Sequence, residues 1–483
     1  QLEIPSQSVY GVSLIGIPMV GIGFNEYGGW THTVNEYDGV DIYELTLKEG
    51  GYVFDGEILP FETSTETYAV KQADGSLKTQ ELVIQKSVHG PLLSQTDEKA
   101  YAVRFSGLES FGMLQQYWDM AAAKNLSEFE AAQKQLQMPF FNTFYANSEG
   151  DIYYLHGGAL PNRKKGDHEF WSGLIPGDRS EFLWQGTLGY DALPQFSNPA
   201  AGFIQNANEP PWYTTFPPVL KSEDYLPFVA SREEAWFRPQ HSMRQVIEDT
   251  SITFEELVEM KQSTQLELAD RILPELLEAA ASSTTPIVVE ARDILANWDR
   301  QANADSRGAV LFIAWAEYFF EQEEGNPLFA TPWDEDNPYT TPDGLANTEM
   351  AVALLEKAAT QIKATHGTLD IAYGDAYRLR RGDVDMPASG GPSFVGAYKI
   401  AEGRMGEDGI TTISSGNTFS AVVEFGTPLK AVGSLPYGTS SQEASPHISD
   451  QLSLFSKNEM RPIWFYEEDV EENAMRTETL LAE

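Results

Sequence analysis

The chain has 483 residues with 72 Asp plus Glu against 32 Lys plus Arg, a formal net charge of −40, and 42% of it is hydrophobic and 12% aromatic. That much apolar material excludes wholesale disorder, and so acidic a surface repels phosphate backbones and anionic bilayers, which argues against nucleic-acid binding. Cysteine is absent and no apolar run approaches the roughly 20 residues needed to span a membrane, which removes disulfides, thiolate chemistry, Cys-built zinc sites and a membrane span.

The opening QLEIPSQSVYGVSLIG has neither an initiator Met nor a basic n-region, so it is no signal peptide and reads as the cut edge of something longer. Residues 1–110 read as β. Val, Ile and Leu crowd residues 8–20, and the Asp74-Gly75 pair between two β-type runs is a hairpin signal. Residues 111–137 turn helical, with Ser127 and Glu130 spaced as a capping box. Strands return over 142–156 around a turn at Ser148-Glu149-Gly150. A Gly-, Pro- and aromatic-rich stretch over 158–227 has no helical period and reads as ordered loops wrapping a site.

Residues 232–363 are expected to be mostly helical. Thr253 and Glu256 form a second capping box, Pro286 suits a first helical turn, and 309–321 is an apolar, buried helix. Strands are expected again at 394–400, 410–413, 419–424 and 430–435. No internal repeat or inter-domain linker is evident. The order predicts one intertwined α+β body over 1–483, mainly β and loops to 230, mainly helical over 231–370, then mainly β and loops over 371–483.

Generic motifs name no enzyme. GxSxG, GxxxxGK[ST] and HExxH are absent, and the seven histidines show no i, i+4 pairing. Two local clusters carry possible chemistry. Asp38-Gly39-Val40-Asp41 brings two carboxylates around a Gly turn, which suits either a hard cation or an ordinary turn. Gln205-Asn206-Ala207-Asn208 offers neutral amide donors for an oxyanion, although Asn also favours loops for its turn geometry.

Taken in order, these clusters resemble the penicillin acylase family of N-terminal nucleophile hydrolases. The resemblance rests on SVYGVSLIGIPMVGIGFNEYGGWTHTVNEYDGVDIYEL, on GFIQNANEPPW, and on LANWDRQANADSRGAVLF and SPHISDQ further along. It implies an αββα sandwich with an inserted, largely helical portion, and a larger chain cut from a precursor together with a smaller (alpha) partner chain. It also implies amide hydrolysis through an N-terminal Ser, which Gln1 cannot replace.

Carried over by residue, the backbone N–H of Val34 and the side chain of Asn208 are the oxyanion donors. Leu14, Ile17, Gly21, Tyr117, Phe140 and Phe141 line the acyl pocket, and Asp38, Val40 and Asp41 hold a structural Ca²⁺. The pattern leans toward fatty acyl amides such as N-acyl-homoserine lactones. The alternatives are an arylacetyl amidase of penicillin type, or a calcium-stabilised binding protein that lost the nucleophile. A periplasmic or secreted location goes with the resemblance.

Overall fold

The computed structural model describes residues 2–4, 7–35, 37–108, 110–231, 234–322 and 327–479. By internal contacts the chain divides into two compact units. One, here the β unit, takes residues 2–204 and 210–233; the other, the helical unit, takes 234–483 together with the short segment 205–209.

The β unit begins with strands β1 (Leu2–Ile4), β2 (Gln7–Val12), β3 (Ile22–Phe24) and β4 (Gly28–Thr33). Next come β5 (Val40–Lys48), β6 (Gly51–Phe54), β7 (Glu57–Leu59), β8 (Glu62–Lys71), β9 (Leu77–Ser87), β10 (Gly90–Gln95) and β11 (Lys99–Phe105). Helices α1 (Met113–Ala122) and α2 (Leu126–Gln133) precede β12 (Asn142–Asn147) and β13 (Ile152–His156), and the loop-rich stretch contains α3 (His168–Trp171), β14 (Leu174–Pro176) and β15 (Gln195–Ser197). The β8–β9 hairpin turns where expected, with Gly75 at φ 83°, a left-handed position that glycine takes without strain.

One sheet runs β1-β2-β3-β4-β12-β13-β15, and the other runs β7-β6-β5-β11-β10-β9-β8 with β14 added parallel to β5. Aromatic side chains of the first sheet (Trp30, Tyr145, Tyr153) pack with Tyr117, Met120 and Phe129 of α1 and α2. Burial along β5 alternates with the two-residue period of a strand. Asp41, Tyr43 and Leu45 face inward while Val40 and Ile42 face out. An acid therefore occupies a core position.

Two local expectations change. Residues 13–21 form a connection instead of continuing the strand, because Gly16 takes φ 85° and Ile17 N–H bonds back to the Leu14 carbonyl. The cap of α2 is Asn125, whose side chain accepts from Glu128 N–H while Glu128 reaches back to Lys124 N–H, so Ser127 lies inside the helix.

In the helical unit α4 (Phe237–Glu248), α5 (Phe254–Lys261), α6 (Glu267–Ala280), α7 (Pro286–Ala296) and α8 (Ala309–Phe320) come first. Strands β16 (Phe329–Thr331) and β17 (Asp343–Leu345) lead to α9 (Thr348–His366) and α10 (Tyr373–Ala376). The Thr253–Glu256 capping box opens α5 and Pro286 begins α7, as their sequence positions predict. Apolar all round, α8 is buried along most of its length.

The remainder builds small sheets from β18 (Tyr377–Arg381), β19 (Val384–Pro387), β20 (Ala401–Met405) and β21 (Thr411–Gly416), and from β22 (Ser420–Glu424), β23 (Lys430–Ser434) and β24 (Arg461–Pro462). It ends in α11 (Leu452–Ser456) and α12 (Glu467–Asn473). The strand expected over 394–400 is instead a single helical turn, Ser393–Val395, closed by Gly396 at φ 82°.

Candidate active site

In the β unit, β4 delivers its WTHT sequence antiparallel to β12, pairing Thr33 with Asn142 and His32 with Thr143. Val34 follows directly after β4, with its side chain exposed. The next residue, Asn35, is buried and acts as a clamp. Its Oδ1 accepts from Phe141 N–H at 2.8 Å and its Nδ2 donates to the Gly157 carbonyl at 3.0 Å. The backbone around Val34 is thereby held against the segment that follows α2.

That clamp also gathers three of the expected pocket residues. The His32 ring lies 5.4 Å from Phe141 and 5.9 Å from Tyr117, and Phe140 lies 4.3 Å from Phe141. His32 Nδ1 bonds Thr143 Oγ1 at 3.1 Å, while burial pushes its pKa down to about 4, so the ring is neutral at pH 7. Sequence reasoning passed over His32 because a lone histidine carries no metal or triad spacing.

The other three expected pocket residues are placed differently. Leu14 and Ile17 lie in the β2–β3 connection, and Leu14 is 68% exposed. Gly21 anchors the end of that connection, donating to Val12 O at 2.9 Å and accepting from Trp30 Nε1 at 2.9 Å. A Cβ there would meet only Val12 O at 3.7 Å.

In the helical unit, segment 205–209 folds around the buried carboxylate of Glu209. It accepts from Gln205 Nε2 and from Ala207 N–H, each at 2.5 Å, and Asn206 Nδ2 donates to the Glu209 carbonyl. Burial pushes Glu209 up to about 7, against those donors and Arg238. Asn208 takes φ 76°, a left-handed conformation that Asn tolerates better than most residues. Its Oδ1 accepts from Arg238 Nη2 on α4 at 2.7 Å. This contact marks Oδ1 as the acceptor end of the amide and Nδ2 as its donor end. Neither Glu209 nor Arg238 was singled out from the sequence, although Glu209 directly follows the Asn-x-Asn motif.

Two of the three expected calcium ligands, Asp38 and Asp41, converge, but on a side chain. Arg163 Nη1 donates to Asp38 Oδ2 at 2.9 Å, and its Nη2 donates to the Asp38 carbonyl and to Asp41 Oδ1, both at 2.8 Å. The other oxygen of Asp41 accepts from Trp184 Nε1. Burial pushes Asp41 up to about 7, opposed chiefly by Arg163. Val40 contributes the first residue of β5, its side chain 56% exposed. Among the described residues, no group of three or more His, Cys, Asp or Glu side chains gathers around a metal position. As folded, the acidic pair does not fit the expected ion, because its oxygens are already engaged by a buried cation.

The penicillin amidase family model matches residues 1–472. The acyl-homoserine lactone acylase PvdQ of Pseudomonas putida is 28% identical over all of this chain and 66% of its own length. A PvdQ of Pseudomonas fluorescens is 26% identical over 97% of this chain and 64% of its own length. The chain thus spans just under two thirds of the length of these curated relatives. Among solved structures, a thermostable penicillin G acylase from Alcaligenes faecalis superposes with a TM-score of 0.68 at 21% identity, covering 100% of this chain and 93% of that one. The α+β fold is therefore that of the N-terminal nucleophile hydrolases. This chain belongs to the penicillin amidase family.

Proposed function

We propose that this chain is the larger part of an amidohydrolase that cleaves N-acyl-homoserine lactones or similar fatty acyl amides. The reading requires an N-terminal Ser nucleophile and a smaller chain of the same precursor. The Ser hydroxyl attacks the amide carbonyl, the amine leaves with a proton, and water then hydrolyses the acyl ester. Asn208 Nδ2 would donate to the oxyanion of each tetrahedral intermediate. The carrying observation is the Arg238–Asn208 contact, which turns a specified amide end into a preoriented donor. The fatty-acyl preference draws on the names of the PvdQ relatives and on the aromatic cluster of Tyr117, Phe140 and Phe141. Periplasmic or secreted placement belongs to the same proposal, in keeping with a net charge of −40.

The test uses the complete, processed enzyme. Asn208→Ala should lower kcat on a fatty acyl-homoserine lactone roughly a hundredfold or more, the cost of losing one oxyanion donor. Near-normal turnover would remove Asn208 from the mechanism. In the parent enzyme, kcat/KM should climb with acyl length by up to about 0.8 kcal/mol per methylene until the pocket is full. Faster cleavage of phenylacetyl amides than of every fatty amide would transfer the reading to an arylacetyl amidase.

A further inference from the structure

We propose that Arg163 is the resident cation of the Asp38–Asp41 pair, an internal counter-ion that takes the place of a divalent metal just beyond β4. The argument starts from the strand. Asp41 is in phase with Tyr43 and Leu45 on the inward face of β5, and both Asp41 and the Arg163 side chain are wholly buried, with Asp38 nearly so. A carboxylate in that position needs a partner of opposite charge.

The guanidinium supplies one in the form a hard cation would require. It reaches two carboxylates and one main-chain carbonyl, all within 2.8–2.9 Å. Those are the oxygen types that calcium collects from a loop. Arg163 is also built in from behind. Its Cζ lies 4.4 Å from the Trp171 ring centre and 5.6 Å from those of Trp184 and Phe228. This aromatic cage favours a planar, weakly hydrated cation over a compact ion that keeps its waters.

A calcium ion on the same oxygens would stand roughly 4–5 Å from the guanidinium carbon, where two positive centres shielded from water repel strongly. The two arrangements therefore compete. Through the Asp38 carbonyl and carboxylate, Arg163 ties the β4–β5 connection to a segment 125 residues away.

Two measurements on the complete, processed enzyme decide between them without using activity. Calcium content is read by elemental analysis after dialysis into metal-free buffer, and melting is followed in EDTA and in added CaCl₂. The expected result is calcium well below one ion per enzyme and the same Tm in both solutions. One tightly held calcium per enzyme, with a fall in Tm when EDTA strips it, would overturn the proposal. As a second arm, Arg163→Met should lower Tm by several degrees and Arg163→Lys by less. A Tm for Arg163→Met equal to that of the parent would equally overturn it. If Arg163→Met fails to fold or mature, the calcium content and EDTA melting of the parent protein still give the decision.

Discussion

Among the described residues, each unit buries one Lys or Arg side chain at its core, and the two are satisfied in opposite ways. Arg163 of the β unit is neutralised by carboxylates, in ion pairs with Asp38 and Asp41. Lys399 of the helical unit has no carboxylate within ion-pair distance among the described residues. Its three Nζ donors meet Ser389 Oγ at 2.9 Å, the Phe455 carbonyl at 2.6 Å and Asn458 Oδ1 at 2.6 Å, and the ammonium lies over the Phe455 ring. A guanidinium cannot shed its proton, so it must be matched by charge. An amine can be matched by dipoles, and burial then pushes its pKa down to about 7. Both cations join segments far apart in the chain, and of the two only the ammonium can give up its own proton near neutral pH.

The largest effect should come from removing each cation in turn. Arg163→Met strands two buried carboxylates, which costs on the order of 3–5 kcal/mol. Lys399→Met leaves neutral acceptors unmade, on the order of 1–3 kcal/mol. Urea melts of both variants test that order, and a larger loss at Lys399 would break the contrast.

A smaller effect should appear against pH. Lys399 binds its proton less tightly folded than unfolded, where its pKa is near 10.5. The folded state therefore gains on the unfolded one as pH climbs from about 7 toward 10, and the contribution is constant below that window, where both states are protonated. The stability difference between the parent protein and Lys399→Met should shift in favour of the parent over this range. Paired denaturant titrations at pH 7 and pH 9.5 read the slope, and equal slopes would mean that Lys399 keeps its proton.

The smallest effects are at helix caps, one in each unit. Thr253→Ala and Asn125→Ala should each cost about 1 kcal/mol, while Ser127→Ala should cost almost nothing because it caps no helix. A sizeable loss at Ser127 would restore the cap position that its spacing to Glu130 suggests.

Much of the fold is legible locally. The Asp74-Gly75 turn, the Thr253–Glu256 box and Pro286 at the head of α7 each act within a few residues, where spacing and backbone preference suffice. The strand expected over 394–400 failed because a β-like composition there is overridden by Gly396, whose left-handed φ closes a helical turn. Leu14 likewise reads as a strand residue until Gly16 turns the chain beneath it.

At the site, the sequence by itself determined which groups are present: the Asn-x-Asn segment, the WTHTV strand end, the paired aspartates and the adjoining Phe residues. Only the tertiary structure decided what those groups do. Arg163 meets Asp41 across 122 positions, Asn35 meets Phe141 across 106, and Arg238 meets Asn208 across 30. Periodicity reports which face a residue turns to the core, because that depends on the backbone within one turn or one pleat. It carries no record of which distant side chain will satisfy a buried charge, since that partner is chosen by packing between elements, where an unpaired carboxylate costs more than the order needed to bring a guanidinium to it.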